Sequence, residues 1–389
     1  MAKTYDVIVV GGGISGASLA YYLQTSGAGK ILLIERGAPA SGGTGKSAAI
    51  VRQHYSTPLM ARLAKASIDI FAAMEAELGR GGGFARSGYH LLLPPRMLDA
   101  ALANAAMQRT VGVRTEALDR SSWIQSLPWL NQDGVAGVLF EPDGGYADPV
   151  ASTEAYIAAF ERAGGMVRTK TSCRALLGDK SRVTGVLLDD GEIAAGVVVN
   201  AAGPWAKPLA ESVGIAMQMR AVREQDTVWE TRGDRPIPGG SVSNAVDAIY
   251  LRPLGDRRFI VGRGFPKDYV DVDPYNYKTS ADDGFIADVQ GRLERRFPSF
   301  VGARLIASYA ALYDVTADWY PYVGARSNTA GYVDFCGGSG HGFKIAPAMA
   351  YELARWIMSG VVADDFRQLS YDRLDKGMLF AGSYGGNRG

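Results

Sequence analysis

The residues best placed to do chemistry open the chain. Gly11, Gly13 and Gly16 stand in the spacing GxGxxG, and Glu35 follows at roughly the 20-residue interval that links such glycines to a ribose-binding acid. The first glycine permits a tight turn, the second lets backbone approach a pyrophosphate, and the third lets a helix pack against the preceding strand. The phosphates would sit at the N-terminus of that helix, on Ile14 and Ser15. A carboxylate at Glu35, with Arg36 beside it, would accept both ribose hydroxyls and repel a ribose 2′-phosphate, which argues against NADP.

Those residues need a strand, a helix and a second strand to hold them. Residues 5–10 are short, β-branched and glycine-bounded, as a buried parallel strand should be, and a helix over 14–26 and a strand over 30–34 follow. A loop of small residues comes next, carrying Thr44, Gly45, Ser47 and Ala48. A nicotinamide dehydrogenase would enter a third βα unit here; a flavin, being longer, extends past the first helix and needs backbone contact at this place. Late in the chain a second glycine-rich segment, Gly337-Gly-Ser-Gly-His-Gly-Phe-Lys344, precedes an amphipathic helix over 345–358. It is either an ordinary loop and cap, or a helix start whose amides and dipole face the carbonyl of a reduced flavin.

Composition narrows the class. With 389 residues, 47% of them apolar, the chain can bury the cores of two domains. Lys plus Arg (41) balances Asp plus Glu (40), so no field favours nucleic acid or an anionic membrane. Two cysteines and three histidines make a disulfide framework, a metal site or a hydrolase triad poor readings. The N-terminus runs directly into a strand and no apolar run reaches membrane length, which gives a cytoplasmic expectation.

Four segments, Val9-Val-Gly-Gly-Gly-Ile-Ser-Gly-Ala17, Ser47-Ala-Ala-Ile-Val-Arg52, Val198-Val-Asn-Ala-Ala-Gly-Pro-Trp205 and Gly340-His-Gly-Phe-Lys344, carry a resemblance. Together they make nearly the whole chain similar to the sarcosine oxidase and glycine oxidase branch of the D-amino-acid-oxidase-like flavoproteins. The resemblance implies an α/β fold: a Rossmann-like FAD-binding domain of the glutathione-reductase type, with a second, antiparallel-sheet substrate domain. It assigns 1–85, 145–220 and 325–389 to the first domain and 86–144 and 221–324 to the second. Gly340, His341, Gly342, Phe343 and Lys344 would lie at the flavin, with His341 shaping the loop. Ala202, Gly203 and Trp205 would return the chain beneath the adenine half, and Cys173, on a strand over 166–173, would touch the adenine.

Carried over the same way, Arg52 and Lys344 would clamp a substrate carboxylate, an arrangement of fork and ammonium that suits a dry pocket. Tyr313 matches a pocket tyrosine, and Tyr250, on a hairpin within 241–264, faces the same space. Helices over 58–78 and 280–297 read as scaffold. Four departures stand out. Ala311 replaces the cysteine of covalent flavin attachment, with Cys336 misplaced for that bond, so FAD should be non-covalent. Ile260 stands for an oxygen-activating lysine, Gly264 for a histidine and Ala49 for an arginine, so the cavity should be roomier and more apolar than sarcosine needs.

The expected activity is therefore FAD-dependent oxidation of a carboxylate-bearing amine, an N-substituted glycine or other amino acid larger than sarcosine. Hydride transfer would give an imine that hydrolyses, with oxygen or another acceptor taking the electrons. Oxidation of a 2-hydroxy acid would use the same clamp but needs a base near the hydroxyl, and none is evident in the sequence. A non-catalytic flavin-binding subunit is the alternative outside enzymes.

Overall fold

The computed structural model describes residues 4–232 and 238–384. Residues 1–3, 233–237 and 385–389, which fall within the expected domain pieces, lie outside the described residues.

Parallel pairing of buried β-branched segments builds the first sheet. Thr329–Cys336, Gly191–Asn200, Thr4–Val10, Ile31–Ile34 and Met166–Arg168 run side by side and parallel, with Ile8 opposite both Val198 and Leu32. The inner strands Thr4–Val10 and Ile31–Ile34 are covered on both faces, which is what their near-continuous apolar sequence demands, while Met166–Arg168 forms the more exposed edge. One face carries the helices Ile14–Thr25, Pro58–Leu78, Pro149–Arg162 and Gly342–Ser359, whose Leu19, Leu23, Ile68, Phe71, Phe160, Met349 and Leu353 form one core. Each fully buried side chain of this size contributes about 1.5–3 kcal/mol. Helix starts are written in the sequence: Thr57 accepts from Met60 N ahead of Pro58, and Asp148 accepts from Val150 N and Ala151 N ahead of Pro149.

The other face is covered by an antiparallel meander, Cys173–Asp179, Arg182–Leu188 and Gly191–Asn200, whose last strand then enters the parallel sheet. The strand expected over 166–173 is thus two. Met166–Arg168 ends the parallel sheet, and the chain turns before Cys173, with Lys170 at a positive φ of 51° and its amide, with that of Thr171, bonded to Gly37 O and Glu35 O. The turn leaves Cys173 at the start of the meander and not on the parallel sheet.

The second sheet has nine strands, drawn from Tyr89–Leu93, Glu116–Leu118, Gly137–Glu141 and the segments between Met219 and Thr316. It is antiparallel except where Ser241–Asn244 runs parallel to Tyr89–Leu93, the seam between its two stretches of chain. One face, with Trp229, Leu251, Phe259 and Val261, packs against the helix Asp283–Arg296 through Val289 and Leu293. The opposite face presents a polar row across the strands: Ser243 pairs with Tyr250, Tyr250 with Gly262, Gly262 with Asp226, and Asp226 with Tyr309. No described helix is long and apolar enough to cross a membrane.

Candidate active site

A cavity of about 720 Å³ runs from the carboxyl ends of the parallel strands to that polar row. At its first end Gly11 takes a φ of +116°, and a Cβ there would lie 2.3 Å from Ala201 O, so a side chain is excluded. Gly13, Ile14 and Ser15 line the cavity, whereas Gly16 does not: its Cβ would sit 1.9 Å from Gly11 O, the close helix packing its position serves. Glu35 lines the wall, its two oxygens accepting from Gly12 N and Gly37 N, both at 2.7 Å. Two amides thereby fix the carboxylate while its other lone pairs stay free for a diol. Arg36 stacks 3.6 Å from the Trp205 ring, and both join Cys173, Ala202 and Gly203 around this end. Burial pushes the Cys173 thiol up to about 12, so it is an inert neutral surface.

The small-residue loop forms the middle. Thr44 Oγ1 accepts from Ile14 N at 3.2 Å, closing the helix start, and Ser47 Oγ accepts from Ala49 N at 3.0 Å. Thr44, Ser47, Ala48 and Ala49 line the cavity, but Gly45 does not. Its Cβ would lie 2.5 Å from Ala40 O, so it serves the loop's own packing. Opposite, Gly337 N donates to the half-buried Asp314 carboxylate at 2.7 Å, and the Tyr313 ring lies where a Cβ on Gly340 would be 2.5 Å away. His341 precedes the helix Gly342–Ser359, with its ring 5.7 Å from that of Tyr55. The observed helix thus begins three residues before the expected start, drawing Gly342, Phe343 and Lys344 into its first turn. Ala311 and Cys336 both line the wall, and burial first, then Asp334 and Asp314, raise the Cys336 thiol far above its usual range.

Arg52, Lys344, Tyr250 and Tyr313 all line the cavity, Arg52 acting on Lys344 and Tyr313 on Tyr250. Arg52 follows the short strand Ile50–Val51, donates to His54 O and lies 4.9 Å from the Tyr55 ring. A shell holds it there: Gln108 Nε2 donates to His54 Nδ1 at 3.1 Å, leaving His54 Nε2 to donate to Tyr384 Oη at 2.7 Å. Burial and then Arg52 push His54 down to about 3, so this ring is neutral. Lys344 is only 8% exposed. Burial first and the Arg52 guanidinium second push its ammonium well below the ordinary lysine range. Neither cation forms an ion pair among the described residues; Glu141, an acid that acts on Arg52, accepts from Gln53 N through Oε2 at 2.6 Å. Two cations, Lys344 buried and Arg52 half-buried, thus stand close together on the cavity lining, and a bound anion would relieve both.

The wall also holds groups the sequence reading passed over. Tyr250 Oη donates to Asp226 Oδ1 at 2.6 Å, and Lys267 Nζ pairs with Glu224 Oε2 and donates to Arg263 O at 3.0 Å. Burial pushes the Asp226 carboxyl up to about 6, against the pull of Tyr250 and Lys267. The expected apolar cavity is thereby corrected: Glu224, Asp226, Arg263 and Lys267 line it. Ile260 lies beside Val228 and Arg252, on the face of Gly262, and is not among the lining residues; Gly264 is. The available signal was the strand Met219–Glu230, whose alternation sets Glu224 and Asp226 on the face opposite Thr227 and Trp229.

Comparison with known proteins sets this geometry in context. Residues 6–356 match the family model DAO, described as FAD dependent oxidoreductase. The chain is 27% identical over 373 residues to a 4-methylaminobutanoate oxidase (formaldehyde-forming) of Paenarthrobacter nicotinovorans, covering 94% of this chain and 45% of that protein. It is 25% identical over 386 residues to the sarcosine oxidase subunit beta of Rhizobium meliloti (strain 1021), covering 96% of this chain and 89% of the relative. The chain therefore spans less than half the length of the first of these and most of the second. Among solved structures, the L-proline dehydrogenase of P. horikoshii superposes with a TM-score of 0.89 at 24% identity, over 98% of this chain and 100% of that one, and so shares the fold.

Proposed function

The chain belongs to the DAO family of FAD dependent oxidoreductases, and on that premise we propose that it oxidises the C–N bond of an amine that carries a carboxylate. The observation that carries this reading is the continuity of one cavity between the Gly11, Gly13 and Glu35 cradle and the cations Arg52 and Lys344. The cradle fits FAD: side chains are excluded at Gly11, Glu35 is fixed with lone pairs to spare, and the middle loop extends the wall past the first helix. When bound, FAD supplies the two-electron acceptor for a hydride from carbon.

In this reading Gly13, Ile14 and Ser15 hold the pyrophosphate, Glu35 the ribose, and the turn with Cys173, Ala202, Gly203 and Trp205 the adenine half. Thr44, Ser47, Ala48 and the segment Gly340 to Lys344 flank the flavin ring. Residues 1–85, 145–220 and 325–389 form the cofactor domain and the remainder the substrate domain. Arg52 and Lys344 bind and orient the carboxylate, while Tyr313 and Tyr250 close the cavity against water. FAD is held without a covalent bond, since Ala311 offers no nucleophile and the protonated Cys336 thiol is a poor one. The relatives named as an oxidase of 4-methylaminobutanoate and as a sarcosine oxidase subunit support an N-alkylated amino acid as substrate, and the first of them supports one larger than sarcosine.

The test is an anaerobic screen of N-alkyl glycines, amino acids, ω-(methylamino) acids and 2-hydroxy acids for bleaching of the bound flavin. Bleaching by amino acids and not by their esters supports the reading; bleaching by hydroxy acids alone, or by none of these compounds, overturns it. Acid precipitation should leave the yellow colour in the supernatant, and a yellow pellet would refute the non-covalent assignment.

A further inference from the structure

Asp226 is a buried carboxylate with an odd set of neighbours. It is 6% exposed and lines the substrate end of the cavity. Among the described residues it forms no ion pair; its one hydrogen bond to a side chain is from Tyr250 Oη to Oδ1, at 2.6 Å. The neighbouring carboxylate, Glu224, is matched by Lys267. Gly262 lies between Tyr250 and Asp226 in the sheet, and a Cβ there would fall 2.3 Å from both Tyr250 Oη and Asp226 Oδ1. The bond across the strands therefore depends on a glycine. A buried, unpaired carboxylate is costly unless a ligand completes it.

We propose that Asp226 binds the substrate's ammonium and accepts its proton, making it the catalytic base of the reaction proposed above, on which this assignment rests. Amines with a carboxylate reach the site mostly as ammonium ions, which cannot release a hydride from the adjacent carbon. Transfer of one N–H proton to the free oxygen of Asp226 leaves a lone pair on nitrogen. That pair forms the C=N bond as the hydride departs with the C–H electron pair to FAD, the oxidant the family uses. Tyr250 holds the carboxylate through Oδ1 and leaves Oδ2 for nitrogen. The titratable groups facing Asp226 are Tyr250 on its hairpin, Glu224 on its own strand, Lys267 beyond the hairpin, and Tyr309 and Tyr313 on the strand Arg304–Thr316. Lys267 and Glu224 offset each other, so Asp226 is the group left to respond to a cation. Sequence alone names no base for either a hydroxyl or an ammonium; this carboxylate lies on the strand Met219–Glu230.

The experiment uses the FAD-loaded protein and two readouts. In stopped-flow reduction by N-alkyl amino acids that bleach the flavin, the wild type should show an acid limb near the Asp226 titration. In Asp226→Asn the second-order reduction rate should fall about 100-fold or more at pH 7 and recover toward pH 10, as solution supplies neutral amine with its ordinary pKa of about 10. Tyr250→Phe, which removes a bond that favours the ionised acid, should move the wild-type limb to higher pH. Asp226→Glu should restore part of the rate. Binding, read from perturbation of the flavin spectrum, should favour N-ethylglycine over (ethylthio)acetate in the wild type and lose that preference in Asp226→Asn. A pH profile unchanged by Asp226→Asn, or a preference for nitrogen that survives it, overturns the assignment. A nitrogen preference that Asp226→Asn abolishes, with no bleaching by any amine, leaves Asp226 as the ammonium site and overturns the oxidation reading instead.

Discussion

Two buried cationic regions of this molecule differ in how their charge is met. Arg373 is enclosed at one edge of the fold, with Nε and Nη2 each 2.8 Å from the Asp318 carboxylate and further donors on Pro321 O, Leu369 O and Tyr320 O. Every direction in which that guanidinium can donate ends on an oxygen supplied by the chain. Lys344 is also buried and Arg52 is half-buried beside it, yet both line a cavity and, among the described residues, neither has a carboxylate in ion-pair contact. The first arrangement is finished by the fold, and the second is left open toward the cavity. Burial of a charge does not separate structure from function here; the completeness of its partners does.

Removing one side of the finished pair is the harshest way to probe this contrast. Arg373→Met should cost about 3–5 kcal/mol of stability, seen in denaturant titration, because it strands Asp318 in the interior. The proportion of protein that stays folded at low temperature should bind carboxylate inhibitors normally. At the open pair, Arg52→Lys should weaken carboxylate binding by about 2–5 kcal/mol, close to the loss in Arg52→Ala, because a planar fork is lost in both. Spectral titration of the bound flavin measures this. Normal affinity in Arg52→Lys would move the anion site elsewhere.

Lys344→Met should act in opposite directions on binding and folding. Carboxylate affinity should fall, while stability without ligand should rise by something on the order of 1 kcal/mol, since a depressed ammonium is a penalty carried by the folded state. The sign with pH follows from that depression. The penalty is full where Lys344 is protonated in both states and disappears as pH approaches the unfolded lysine value, so the stability gain should be larger at pH 6 than at pH 10. The smallest signal is calorimetric. A carboxylate entering beside Lys344 should raise its pKa and draw up to one proton from buffer, so enthalpies in buffers of different ionisation heat should diverge for the wild type and converge for Lys344→Met.

What the sequence disclosed follows the same division. Gly11, Gly13 and Glu35 are legible because backbone geometry restricts which residues can stand there and at what interval. Gly16 and Gly45 belong to the same motifs, but their service is to packing, and spacing alone does not separate a glycine that touches a ligand from one that admits a neighbour. Arg52 and Lys344 were reachable through motif segments, and both line the cavity. Asp226 and Glu224 were hidden because alternation in a strand shows two faces without saying whether the polar one meets water or a cavity. Cys173 was set on the wrong strand because a turn at Lys170 carries no glycine or proline to announce it.

The wall of the cavity is contributed by residues around 11, 35, 44, 173, 202 and 340, the last near the carboxyl end of the chain. During synthesis these arrive in that order, so the cavity cannot close until Thr329–Cys336 has taken its place beside Gly191–Asn200. The early βαβ unit can form while the chain is still emerging, but its Gly11 turn packs against Ala201, which is made much later. The segments that line the cavity therefore come together only after Thr329–Cys336 has paired, and a nascent chain stalled before residue 329 would carry the glycine motif without the finished cavity.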